Sequence, residues 1–167
     1  DAYNTPADDW REMPTPHFKQ ILDYQKISNE VQDAVIKFFM GRLLYDVGEL
    51  DDSQVSLFIL GQAGTGKSTI CNKIIGEIYD CDDVGVMSSN IEGKFGLGSI
   101  YESFVIIAPE IKGDFSLPQT EFQGMITGEN LQIAIKNQPS VKVKWTAGLI
   151  SAGNTMFSYS DNSGSIS

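Results

Sequence analysis

The chain has 167 residues, enough for one domain with a real core, and its 41% hydrophobic and 20% charged residues are ordinary for a soluble globular protein. A formal charge of −10 and a pI of 4.4 argue against coating nucleic acid with the whole surface, though not against a local basic contact. No apolar run approaches the roughly 18 residues needed to span a bilayer, so no membrane role is expected. No signal-peptide pattern opens the sequence, and the start at Asp1 instead of Met is expected of a segment of a longer protein.

In chain order, residues 1–16 hold Pro6, Pro14 and Pro16 and read as an irregular lead-in. From Phe18 to Leu44 the apolar positions Ile21, Leu22, Val31, Val35, Phe38, Phe39 and Leu43 recur at helical spacing. They predict two helices broken near Ser28-Asn29, with Asn29 capping the second. Residues 1–47 thus form a lead-in and helical segment, and 48–167 a second unit that opens with the polar turn GELDDSQ. Val55–Leu60 is a short apolar run ended by Gly61, the mark of a buried parallel strand. Ser68–Tyr79 predicts a helix with Ile70, Ile74, Ile75 and Ile78 on one side. Val84–Met87, Phe104–Ala108 and Ala147–Ala152 predict further central strands, and strands alternating with helices imply a parallel sheet. Cys71 and Cys81 lack metal-ligand spacing and read as reduced, structural thiols of an intracellular protein. The polar tail SYSDNSGSIS reads as loop.

The junction of the first strand and its helix carries a phosphate motif. GQAGTGKS (61–68) fits G-x-x-x-x-G-K-[ST] in full, with Gly61, Gly66, Lys67 and Ser68 in place. The glycines allow the backbone N–H groups of Gly61, Gln62, Ala63, Gly64, Thr65 and Gly66 to curl around one anion, and the helix start through Ser68 and Thr69 adds its partial positive charge. Lys67 reaches the outer phosphates and the Ser68 hydroxyl coordinates Mg²⁺, so ATP and Mg²⁺ are the expected cofactors.

Two strand ends complete the motif set. SFVIIAPEIKGDF (103–115) leads an apolar run into Glu110, where a carboxylate can hold the Mg²⁺ hydration shell or polarise the attacking water. Many such ATPases carry two adjacent acids at this point, whereas this chain has Pro109-Glu110. Glu110 then serves metal and water together, or Asp114 assists. WTAGLISAGN (145–154) ends a strand in Asn154, whose amide can lie between the acid and the phosphate loop and bond the γ-phosphate or the lytic water.

Between these motifs the charge pattern inverts. From Asn130 to Ser160 there is no Asp or Glu, where about four would be expected at the chain's average. NLQIAI (130–135) and SVKVKW (140–145) both alternate and KNQP joins them, predicting a β-hairpin with Lys136 near its tip and Lys142 and Lys144 on one face. A hairpin inserted here is hard to explain as packing, and its lysines suit a phosphate backbone. Trp145 or a neighbour could instead stack a base.

The order GQAGTGKST, apolar-PEIKG, Lys-bearing hairpin and LISAGN resembles the superfamily 3 helicases, and looks closest to the ATPase domain of the poxvirus-type primase-helicases of nucleocytoplasmic large DNA viruses. MGRLLYDVGELDDSQVSLFILG (40–61), MSSNIEGKFGL (87–97) and GDFSLPQTEFQGMITGENLQI (113–133) resemble that group between its motifs. The resemblance implies an α/β P-loop fold of AAA+-like type, a central parallel sheet with an inserted hairpin, a ring homo-hexamer, and ATP-driven movement on single-stranded or forked DNA. It further implies Lys136 as the hairpin's DNA-contacting lysine in the central channel, Asn154 as the sensor, a primase domain on the same chain, and a place in the host cytoplasm or at a viral replication site. Relatives with a tail similar to DNSGSIS continue into an arginine that acts on the neighbouring subunit's ATP. No arginine follows Arg42 here, so these residues alone should bind nucleotide better than they hydrolyse it.

Rivals from other classes are a small-molecule P-loop kinase, whose lid normally supplies arginines that this chain lacks after Arg42, and a non-catalytic ATP-binding module, which Pro109 keeps in view. A GTPase is disfavoured, because Asn72-Lys73-Ile74-Ile75 lacks the Asp of a guanine reader and lies in the phosphate-loop helix.

Overall fold

A computed structural model describes residues 14–91, 95–113 and 115–159. The lead-in through residue 13, Asp114 and the tail from residue 160 lie outside the described residues.

Helix α1 (Pro16–Tyr24) starts on proline, whose missing N–H would be unpaired in a first turn anyway. Helix α2 (29–42) is continuous over Asn29–Val31, Gln32–Lys37 and Phe38–Arg42, the middle part wound in the wider π form. Its cap is Ser28 and not Asn29. Ser28 is extended, and its hydroxyl accepts from the Val31 N–H at 3.4 Å, whereas Asn29 is already inside the helix. Gln32, almost fully buried, donates to the Asp23 carboxylate and to the Ile27 carbonyl, which fixes the turn between the two helices. Arg42 then clamps the polar turn, pairing with Asp51 through two nitrogens and donating to the carbonyls of Ser53 and Val55.

The main sheet has four parallel strands in the order β1-β6-β3-β2: β1 is Leu57–Leu60, β2 Val84–Val86, β3 Val105–Ile111 and β6 Gly148–Gly153. Mixed α/β architecture around a mostly parallel sheet therefore holds, with one change. β1 pairs only with β6 and is half-buried, with Val55 and Leu60 exposed, so it is an edge strand among the described residues and not the buried one its apolar run predicts. β3 is the central strand in packing terms. Val105 and Ile107 point to one face and Ile106 and Ala108 to the other, and all four are buried.

On one face, α3 (Thr69–Ile75) packs Cys71 and Ile75 against Val105, Ile107, Ile150 and Ala152. This helix is shorter than its apolar spacing predicts. It stops at Gly76, whose N–H pairs back to the Cys71 carbonyl, so Ile78 falls outside it and is exposed. Burial pushes the Cys71 thiol up to about 11, which makes it an inert core group. Both cysteines are free, but Cys81 is exposed and has no structural role of the kind expected. Leu22 and Ile36 meet Ile70 in a smaller cluster that seats α1 and α2 on α3.

The other face carries α4 (Gln119–Thr127) and a hairpin of β4 (Asn130–Ile133) and β5 (Val141–Lys144). Helix α4 is not evident from apolar periodicity. Its legible signals are Pro118 at the start and Gly128 at the end, in the left-handed conformation (φ 69°) that closes the helix. Leu131 and Ile133 of the hairpin join Met125, Trp145 and Leu149 in the larger core cluster. The hairpin is thus packed on its inner face, which corrects the expectation that packing could not explain it. No described helix is long and apolar enough to cross a membrane.

Trp145 anchors this second layer: it is 1% exposed and its indole N–H donates to the Ala147 carbonyl at 2.9 Å. Trp145→Ala should lower unfolding free energy by about 3–5 kcal/mol in urea denaturation. A loss below about 1 kcal/mol would place the weight of the core elsewhere.

Candidate functional site

The site is built where three parallel strands end. Leu60 pairs with Gly153, and Ile111 also pairs with Gly153, so the carboxyl ends of β1, β6 and β3 lie side by side. This edge of an open parallel sheet is where such folds place their ligands. The Gly61–Ser68 loop leaves β1, Asn154 follows β6, and Glu110 lies near the end of β3. The sequence separates these residues widely; the strand order brings them to one edge, with β6 between the other two.

The loop has the backbone its glycines permit. Gly64 and Gly66 adopt φ of +79° and +89°, values that side chains rarely tolerate. The Gly61 N–H donates to the Gly153 carbonyl at 3.2 Å, tying the loop's first residue to the end of β6. The Thr65 hydroxyl donates to the Gln62 carbonyl at 2.8 Å. Lys67 is 8% exposed, and its ammonium donates to the carbonyls of Gly61 and Gln62, at 2.7 Å each, with Thr65 Oγ1 at 3.5 Å. Gln62, Ala63, Gly64, Ser68 and Thr69 are exposed, so the loop's mouth opens to solvent. Beside it, a cleft of about 370 Å³ is lined by Gln20, Ile21 and Tyr24 of α1 and by Gly64, Gly66 and Thr69.

At the end of β3 the pairing with β6 runs Ala108↔Ser151 and then Ile111↔Gly153, so one extra residue bulges where Pro109 and Glu110 sit. Proline cannot donate to a ladder, and the bulge falls where its N–H is missing. Glu110 and Asn154 are exposed. Asp114, the alternative acid, lies outside the described residues. Ser89 is a neighbour of Glu110 that the sequence reading missed: it is 4% exposed and bonds the backbone on both sides of Ile111. Its only sequence signal is a polar pair, Ser88-Ser89, directly after an apolar strand.

The three lysines run from the tip of the hairpin to its base. Ile135 to Gln138 form a turn closed by the Gln138 N–H on the Ile135 carbonyl at 3.2 Å, with Asn137 at φ 61°, so Lys136 stands at the tip. Lys142 and Lys144 face outward opposite Gln132 and Asn130. Among the described residues no ion pair engages any of the three. Trp145, the candidate for stacking a base, is buried and unavailable for it. No group of three or more His, Cys, Asp and Glu side chains converges as a metal site among the described residues.

The strands and helices form a mixed α/β domain around a mostly parallel sheet, a fold shared with solved structures. The chain resembles the apo C-terminal region of NrS-1, with a TM-score of 0.64 and 18% identity over 86% of this chain and 34% of that one. It also resembles JCV helicase, solved with a bound thiazolopyridine compound, with a TM-score of 0.53 and 15% identity over 84% of this chain and 47% of that one. The chain therefore spans between a third and a half of the solved structures it matches. By sequence it belongs to the family described as a family of unknown function (DUF5906), whose model matches residues 59–165. No curated protein matches it.

Lys67 is bonded to the loop and not packed in the core. On the expectation that the loop holds ATP, Lys67→Ala should leave the unfolding midpoint almost unchanged while lowering ATP affinity about tenfold to a hundredfold, the loss of a charge-assisted bond. Titration with a fluorescent ATP analogue, paired with a thermal melt, checks both. Undiminished affinity in the folded variant would remove the lysine from the site.

Proposed function

We propose that the chain is the ATP-driven motor domain of a ring helicase acting on DNA, of superfamily 3 and AAA+-like type, within a viral-type replication protein. The observation that carries the reading is the meeting of the Gly61–Ser68 loop, Glu110 and Asn154 at one sheet edge. In this reading the loop's N–H groups and Lys67 hold the phosphates of ATP, and the cleft beside α1 takes the base. Lys67 exchanges the carbonyls of Gly61 and Gln62 for phosphate oxygens when nucleotide binds. The exposed hydroxyl of Ser68 and carboxylate of Glu110 are hard oxygen donors, which fits Mg²⁺ when the phosphates complete its shell. Bound there, Mg²⁺ would neutralise charge on the phosphates. Glu110 orients and polarises the attacking water, and the Asn154 amide contacts that water or the γ-phosphate.

DNA contact falls to the hairpin. Its packed inner face holds Lys136 out at the tip, and Lys142 and Lys144 extend the charge along the outer face. In a homo-hexamer six copies of a few lysines line one channel, so an acidic subunit still grips an anionic strand. A primase on the same chain and an arginine from the neighbouring subunit belong to the same proposal. Arg42 is engaged with Asp51, Ser53 and Val55 and is not free to act across a subunit boundary. A second reading, an ATP-binding module without turnover, is favoured by the bulge at Pro109 alone.

Turnover with and without single-stranded DNA, measured on the full-length chain, separates the two. DNA-stimulated hydrolysis supports the motor, and binding without turnover supports the module. Glu110→Gln should keep nucleotide binding and lower turnover about a hundredfold or more. Turnover that survives the substitution would move the role to another acid.

Lys136→Ala should weaken single-stranded DNA binding about equally across sequences and flatten the salt slope of log affinity by about 0.7 per lost contact, more in a ring. ATP binding should be unchanged. Fluorescence titrations at several salt concentrations read the slope, and an unchanged slope and affinity would return the lysines to a solvated face.

A further inference from the structure

Strand β2 supports β3 through Val86↔Ile107, and its last backbone bond is the Met87 N–H on the Ile107 carbonyl at 2.9 Å. Beyond that point the chain turns away, while β3 still has to reach Glu110. It does so across the bulge, without a donor at Pro109 and with its register to β6 displaced by one residue. On the β2 side, the Glu110 carbonyl and the Lys112 N–H no longer have a backbone to pair with.

One side chain takes over. The Ser89 hydroxyl donates to the Glu110 carbonyl at 3.0 Å and accepts from the Lys112 N–H at 2.6 Å. A parallel neighbour bonds residues two apart in this same way, and a hydroxyl is able to do both because it donates and accepts at one atom. Ser89 is held in turn: its carbonyl accepts from the Ser116 N–H at 3.3 Å and from the Ser116 hydroxyl at 3.1 Å, and that hydroxyl also reaches the Ile91 carbonyl at 2.7 Å.

We infer that Ser89 is a positioning residue for Glu110, its hydroxyl standing in for the missing ladder partner and setting where the bulge aims the carboxylate. The inference rests on the proposed role of Glu110 toward water. It also answers the departure at Pro109: the strand end that proline loosens on one side is braced by a buried hydroxyl on the other.

The test uses Ser89→Ala and Ser89→Thr in the full-length protein. Ser89→Ala should lower ATP turnover about tenfold to a hundredfold, the usual penalty for a misplaced catalytic group, with nucleotide affinity unchanged within about twofold. Ser89→Thr, which returns the hydroxyl, should recover most of the turnover. Added to Glu110→Gln, Ser89→Ala should have no further effect, because the two act as a unit. Hydrogen exchange should quicken at the Lys112 amide while the Met87 amide stays protected. Turnover and affinity falling together, or an equal loss in the Glu110→Gln background, would reduce Ser89 to a general structural role and overturn the inference. If Ser89→Ala does not fold, Ser89→Cys replaces it, with an intermediate loss of turnover expected from its weaker thiol and no loss overturning the role. A wild-type protein that binds ATP without turning it over overturns the reading of Glu110 and this role with it. Turnover in the wild type matched by Ser89→Ala overturns this role alone.

Discussion

The pairing of β6 with β1 and β3 at once is the constraint on which the rest depends. It sets the spacing at the site. Adjacent strands lie about 4.8 Å apart, so β1 and β3 are separated by about 10 Å, with β6 between them. A direct β1–β3 pairing would halve that gap and, in the proposed reading, leave little room for a phosphate tail and a water. Gly153 lies at the centre of the arrangement: a side chain there would collide with the Ile111 carbonyl and press on Phe58 at 2.9 Å and on the Thr155 carbonyl at 3.1 Å. The closeness of β6 to β3 at this end thus requires glycine, and the same residue's carbonyl accepts the Gly61 N–H.

The Gly61–Ser68 loop is braced by its own lysine. Lys67 loses most of its water on burial, and two carbonyls and a hydroxyl replace it. An ammonium bonded to a carbonyl is already a charge-assisted donor, and an anionic oxygen would add a net opposite charge that the carbonyl dipoles lack. In the proposed reading, the exchange from carbonyl to phosphate keeps the ammonium bonded at either end. Gly64 and Gly66 hold φ values of +79° and +89°, so the loop's curl rests on the chain's own glycines.

How much of this was legible in the sequence depends on whether the signal is local. The strand–loop–helix junction at 57–75, the hairpin and the ends of β3 and β6 could be read because apolar runs, glycines and alternation are short-range features. Strand order is not short-range. That β6 lies between β1 and β3, and that β1 forms an edge, follows from pairings between segments some ninety residues apart, such as Leu57 with Ile150. Ser89 was invisible for a related reason: a serine after a strand is ordinary, and its value comes from a bulge that only the register reveals. Helix α4 was missed because nine residues with apolar groups at Phe122, Met125 and Ile126 give too weak a period. The cap at Ser28 instead of Asn29 is a one-residue error of the kind local backbone geometry decides.

The acid-free stretch from 130 to 160 now divides into two parts with different causes. Leu131, Ile133, Trp145, Ala147 and all of β6 are buried, and an unpaired carboxylate at those positions would lose its hydration for nothing in return. Core packing therefore accounts for much of the missing negative charge. It does not account for the outer face, where Asn130, Gln132, Lys142 and Lys144 are exposed, nor for the turn at Lys136 and Asn137. At those positions an acid would cost little, and elsewhere on this surface acids are common. The pattern to be explained thus narrows from 31 residues to one hairpin face with its tip and the exposed residues after β6, such as Asn154 and Thr155. A local positive surface on a chain of charge −10 attracts an anion only at short range, since charges more than about a Debye length away are screened. The hairpin tip, with Lys136 and Asn137 exposed and no acid between Asn130 and Ser160 in the sequence, offers such a short-range contact.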